Sequence, residues 1–68
     1  MNNKNGFTLT KRDYVLRAWQ NSTELVRDYQ EYSNQIEDKH LVDIFKKLSE
    51  DEATHASKLL DILQGYDE

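Results

Sequence analysis

The feature that most constrains this chain is a three- and four-residue spacing of apolar side chains, kept through two long segments that flank a short charged stretch. Such spacing lines up apolar side chains along one side of an α-helix. The first segment predicts a helix over about 11–36. Its apolar positions are Val15, Ala18, Trp19, Ser22, Leu25, Val26, Tyr29, Tyr32 and Ile36. The second segment predicts a helix over about 39–64, so the fold class is all-α.

Local signals place the helix ends. Thr10 followed by Asp13 forms a capping pair, with a hydroxyl for the first free amides and an acid in the first turn. Asp38 can cap the second helix, and Gly65 supplies a residue that commonly ends a helix in the left-handed conformation. Residues 1–9 are polar and aperiodic, which predicts a flexible leader ahead of a two-helix domain over 10–65.

The connection between the segments, Glu37-Asp38-Lys39, is short. A connection of this length makes the two helices antiparallel neighbours, as an αα-hairpin. The connection contains no proline or glycine, which leaves one continuous helix as the alternative.

Composition narrows the function classes. The chain has no cysteine, which excludes disulfides, thiolate zinc sites and iron–sulfur clusters. Its net charge of −4 argues against a nucleic-acid surface, since such surfaces depend on clustered Lys and Arg. We expect no contact with membranes, because no apolar run approaches the length of a membrane span, and we expect a cytoplasmic location.

Length argues for a partner. A chain of 68 residues buries only about 60% of its unfolded surface, so natural chains of this size usually need support from disulfides, metals or oligomerisation. One hairpin leaves several large aromatic side chains partly exposed, and such surface marks a contact with another protein. These side chains are Trp19, Tyr29, Tyr32 and Phe45. We expect a homodimer or a higher homo-oligomer.

Two polar residues interrupt the predicted inward stripe of the second helix. This stripe consists of Leu41, Phe45, Leu48, Glu52, His55, Leu59 and Ile62. Burial of a carboxylate needs a charged partner, hydrogen bonds or a cation. Glu52 and His55 project from the same side of the helix and could bind one metal together. Alternatively, Glu52 extends to water while His55 donates or accepts a hydrogen bond at Tyr29 or Ser22 across the hairpin.

The residues around this pair resemble a known family. The stretch from Phe45 through Glu52-Ala-Thr-His55 to Leu60 is similar to the second helix of a rubrerythrin or ferritin-like hairpin, and Tyr29 with Tyr32 resembles tyrosines late in that family's first helix. The resemblance covers about 14–64. It implies a four-helix bundle made of two copies of this hairpin.

The same resemblance implies a di-iron site, built from a first-helix Glu and the Glu-x-x-His of each second helix. Here the first-helix position, seven residues before Tyr29, is Ser22, which cannot replace a bridging carboxylate. Glu24 is a weaker candidate for an additional ligand because it lies among polar residues. Two copies of Glu52 and His55 would still form a set that suits zinc or iron by ligand type.

Three functions follow from these residues. The first is a ferritin-like homodimer of unestablished activity, with Glu52 and His55 as candidate metal ligands. The second is a non-enzymatic helical interaction module without a metal, in which the pair makes only hydrogen bonds. The third, an iron-oxidising or peroxide-reducing enzyme, requires the missing first-helix carboxylate and ranks last.

Overall fold

The computed structural model describes residues 9–66, which form two α-helices packed against each other. Helix α1 is Lys11–Gln35 and helix α2 is Lys39–Tyr66. The prediction of an all-α helical hairpin is confirmed. The alternative of a continuous helix is wrong, because residues 36–38 leave the helical conformation. Residues 1–8 of the predicted leader lie outside the described residues.

The start of α1 is fixed by a reciprocal capping box. The amide of Asp13 donates to Thr10 Oγ1 at 3.1 Å, and the amide of Thr10 donates to Asp13 Oδ2 at 2.9 Å. The hydrogen bonds from the Thr10 backbone and side chain lower the pKa of Asp13, because they favour its charged form. This cap is the one that the sequence predicts.

The turn is stabilised from both sides. Ile36 adopts an extended conformation with φ −87° and ψ 138°, and its amide still donates to the Tyr32 carbonyl at 3.1 Å. Asp38 Oδ1 then accepts from the amides of His40 and Leu41 at 2.9 and 3.2 Å. A carboxylate in this position satisfies amides that have no partner within the new helix.

The end of α2 differs from the prediction. The helix continues through Gly65 to Tyr66, and Gly65 does not adopt a left-handed backbone conformation. The three- and four-residue spacing of the residues that face α1 continues from Ala56 through Leu59 to the buried Leu63, and Tyr66, one turn later, is 46% exposed. The glycine therefore does not end the helix.

The contact between the helices, here called the seam, is built largely from small side chains. The most buried residues are Ser22 and Ser33 of α1 with Ser49, Ala56 and Leu63 of α2. Small side chains let the two helix backbones approach closely. Among the described residues, the buried hydrophobic ones are Ala56 and Leu63 alone, so one hairpin has very little core.

The seam differs by one residue from the predicted inward stripe of α2 at four of seven positions, while Phe45, Glu52 and Leu59 belong to both. Its α2 positions are Val42, Phe45, Ser49, Glu52, Ala56, Leu59 and Leu63. Leu41, Leu48 and Ile62, which are predicted to face inward, are 39%, 38% and 50% exposed. Three large hydrophobic residues of α2 therefore lie beside the seam, while Phe45, Leu59 and Leu63 lie in it.

Aromatic side chains close the seam near the turn. Tyr29 stacks on Phe45 with ring centroids 6.0 Å apart, and the rings of Tyr32 and Phe45 are nearly perpendicular with centroids 5.5 Å apart. Tyr32 remains 46% exposed, while Trp19, Tyr29 and Phe45 are half-buried. These rings stay partly exposed in the single hairpin, as the sequence predicts.

Candidate functional site

Glu52 and His55 lie one helical turn apart on α2 and contact each other. Glu52 Oε1 is 3.3 Å from His55 Nδ1. The Glu52 side chain is 18% exposed and the His55 side chain 61% exposed. The carboxylate is thus the inner member of the pair and the imidazole the outer one, and both side chains project from one side of the helix.

The environment of the pair differs from the hydrogen-bonded alternative stated above. Within the described residues, the hydrogen-bond partner of His55 is Glu52, and neither Tyr29 nor Ser22 bonds to the imidazole. Glu52 occupies a seam position facing α1 and does not extend freely to water. The imidazole instead points away from the seam, where a further group can reach it.

Two contacts define which parts of the helices lie side by side. Ser49 Oγ donates to the Val26 carbonyl at 3.2 Å, and Tyr29 stacks on Phe45. A residue of α1 and a residue of α2 therefore lie at the same height in the hairpin when their residue numbers add up to about 75. Glu52 lies at the height of residue 23, next to the buried Ser22.

The residues at this height do not fit the di-iron site that the family resemblance implies. Ser22 is buried in the seam where a carboxylate would be required, and a neutral hydroxyl cannot bridge two iron ions. Glu24 is exposed and lies on the outer side of α1, away from Glu52 and His55. The described part of one chain brings together no group of three or more His, Cys, Asp or Glu side chains around a common point.

A second feature surrounds His55. We define the apolar flank as the residues that directly precede Trp19, Val26 and Ser33 of α1 and Val42, Ser49, Ala56 and Leu63 of α2. Because the helices are antiparallel, the rows of both helices fall on the same side of the hairpin. The apolar flank consists of Ala18, Leu25 and Tyr32 of α1 with Leu41, Leu48, His55 and Ile62 of α2.

The apolar flank is exposed along the hairpin. Its large hydrophobic members are between 38% and 50% exposed, and its α2 row interposes His55 between Leu48 and Ile62. Ile44 extends the apolar surface near the turn, where it lines a shallow depression together with Leu48. Large apolar side chains exposed together along one side of a hairpin mark an interaction site.

The opposite side of the hairpin is more polar near the turn. There the two helices border a shallow cleft. Its lining residues are Gln30, Ser33, Asn34, Lys46, Ser49 and Glu50. The hairpin is therefore two-sided, and the exposed apolar residues concentrate on the flank that carries His55.

Comparison of the chain with protein-family models, with curated proteins and with solved structures finds no match. Neither helix of the described part is long and apolar enough to cross a membrane. The fold and the site together define the class of protein: a two-helix hairpin with an exposed apolar flank and a Glu–His pair at mid-height.

Proposed function

We propose that this chain is a self-associating helical module, in which two hairpins pair through their apolar flanks into a ferritin-like four-helix bundle. We propose further that the dimer holds one metal ion, zinc or iron, through Glu52 and His55 of each copy. The observation that carries the proposal is the position of His55 within the apolar flank, beside Glu52.

The small core of one hairpin supports self-association. The seam buries three serines, Ala56 and Leu63, while Leu25, Leu41, Leu48 and Ile62 remain exposed. Burial of apolar surface contributes roughly 25 cal/mol per Å². Pairing of two flanks would remove these side chains from water and give the chain the core that its length alone does not provide.

The height of the Glu–His pair supports a shared site. α2 is 28 residues long, and Glu52 lies at its midpoint. Two flanks can pair around a two-fold axis with their turns at the same end or at opposite ends. Only residues at mid-height approach their own counterparts in both arrangements. Glu52 satisfies this condition in either arrangement, and His55 lies less than one helical turn from it.

The donor set suits a single ion. Two imidazoles and two carboxylates match the ligands that zinc and iron accept in proteins. A bound ion would link the two chains and neutralise the two carboxylates at mid-height. Because Ser22 stands in place of a first-helix carboxylate, we propose no oxidase or peroxidase activity.

The test is elemental analysis of protein purified without chelator, run beside light scattering. We expect one zinc or iron per dimer, lost when Glu52→Ala and His55→Ala are combined. His40→Ala with Glu50→Ala is the matched control, since it removes the same residue types from exposed positions outside the apolar flank. Retention of the metal by the Glu52 and His55 variant would overturn the proposed site.

A metal-free interaction module is the second candidate. It is favoured by the 3.3 Å contact between Glu52 and His55, because each side chain already provides the other with a partner. In this case the dimer forms in the presence of chelator and the purified protein contains no stoichiometric metal. A metal-dependent dimer would exclude it.

A further inference from the structure

Resting on the proposed self-association, we infer that the two hairpins pair with their turns at opposite ends of the bundle. In this arrangement the two-fold axis runs perpendicular to the helices and passes near Glu52. The partner is a second copy of this chain, and the contact surface is the apolar flank.

The argument comes from charge placed along the hairpin. We divide the described residues at mid-height into a turn half, 24–51, and an open half, 9–23 with 52–66. The turn half carries four basic and eight acidic side chains, a net charge of −4. The open half carries four basic and three acidic side chains, a net charge of +1.

The charged residues outside the described range do not reverse this asymmetry. Lys4, Asp67 and Glu68 belong to the chain ends, and assigning all three to the open half brings its net charge to zero. The hairpin therefore has one strongly acidic end and one nearly neutral end.

The two arrangements differ in which charged halves of the two hairpins become neighbours. Turns at the same end would place one turn half of charge −4 beside another, at distances where like charges repel. Turns at opposite ends place each acidic turn half beside the nearly neutral open half of the partner. The apolar flank runs past mid-height on both helices, from Leu41 to Ile62 on α2, so it can be covered in either arrangement. The repulsion between two acidic turn halves then disfavours turns at the same end and selects the opposite-end arrangement.

The side chains along α2 are compatible with this choice. With turns at opposite ends, α2 lies against α2 of the partner, and Leu41 comes to the height of the partner's Ile62. Leu48 comes to the height of the partner's His55. Large apolar residues then face each other near both ends of the interface.

Spin-label distance measurement tests the inference, because the chain has no cysteine and a single label can be attached at a chosen position. Glu37→Cys places the label at the turn, and Asp51→Cys places it at mid-height. Both positions are exposed. The α2 length at 1.5 Å per residue predicts a separation of about 40 Å or more between Glu37 labels with turns at opposite ends, and less than about 25 Å with turns at the same end.

The Asp51 label separates failure of the inference from failure of the proposed function. Mid-height labels lie less than about 30 Å apart in both arrangements, since neighbouring helices pack 8–10 Å apart. A short Asp51 distance with a long Glu37 distance supports the inference. Short distances at both positions overturn the orientation and leave the dimer intact. If neither label gives a defined distance between two chains, the proposed dimer is overturned.

Discussion

The Ser49 hydroxyl donates a hydrogen bond to the Val26 carbonyl across the seam, at 3.2 Å. This bond joins the middle parts of the two helices, and Ser49 is 4% exposed. A side chain of this size lets α2 lie close to the α1 backbone. The height of every other residue in the hairpin, including Glu52, follows from this register.

Enlarging Ser49 should therefore disrupt the seam. We expect Ser49→Leu to lower the free energy of unfolding by about 1–3 kcal/mol, because the larger side chain does not fit between the helices. Chemical denaturation followed by circular dichroism measures the change. Ser57→Leu, at an exposed position of the same helix, is the control and should leave stability nearly unchanged. Equal stability of the Ser49→Leu protein would mean that the seam is not tightly packed.

Removing the cap of α2 should weaken the turn. Asp38 accepts from the amides of His40 and Leu41, and we expect Asp38→Ala to cost about 1 kcal/mol. Glu37→Ala removes an acid from the neighbouring position without removing this cap. A smaller effect of Asp38→Ala than of Glu37→Ala, measured by thermal denaturation at one protein concentration, would contradict the assignment of Asp38 as the cap.

The cap of α1 should make the stability of the folded protein depend on pH in acid. The Thr10 hydrogen bonds lower the pKa of Asp13 in the folded state below the ordinary value of an aspartate carboxyl. A lowered folded pKa gives stability that is present above the unfolded pKa and is lost as the pH falls through the folded pKa. We expect Asp13→Asn to reduce the loss of stability below about pH 4, in denaturation curves recorded between pH 2 and 6. An unchanged pH profile would show that the capping box does not persist in solution.

Charge placed on the apolar flank should abolish self-association. We expect Leu25→Lys with Leu48→Lys to give a monomer of reduced helicity, because two exposed ammonium groups per chain would have to be buried on pairing. Gln20→Lys with Gln64→Lys adds the same charge at exposed positions outside the apolar flank. Only the control should keep an unfolding midpoint that rises with protein concentration, as an associating protein shows. A concentration-dependent midpoint in the flank variant would move the interface elsewhere.

Much of the fold could be predicted from the sequence. The spacing of apolar residues gives both helices, and Thr10 and Asp38 give their starts, because capping depends on residues close in the sequence. The seam could not be placed correctly in this way. Hydrophobicity favours Leu41 and Leu48 as inward residues, whereas close contact between two helices selects the smaller Ser49.

For the pair Glu52 and His55, the sequence likewise predicts one property and not another. Glu52 and His55 are three residues apart on a helix, so their proximity follows from the sequence. Their orientation does not, because it depends on which side of α2 faces α1. The seam position is Ala56 and not the predicted His55, so His55 lies on the apolar flank while Glu52 stays in the seam.

The mass of the wild-type protein in solution tests the central claim most directly. Sedimentation equilibrium over a range of concentrations should give twice the 8.1 kDa of one chain, with dissociation only on dilution. A mass of one chain at all concentrations, with or without added zinc or iron, would contradict the account, because the apolar flank would then remain exposed to water and the Glu–His pairs of two chains would never meet.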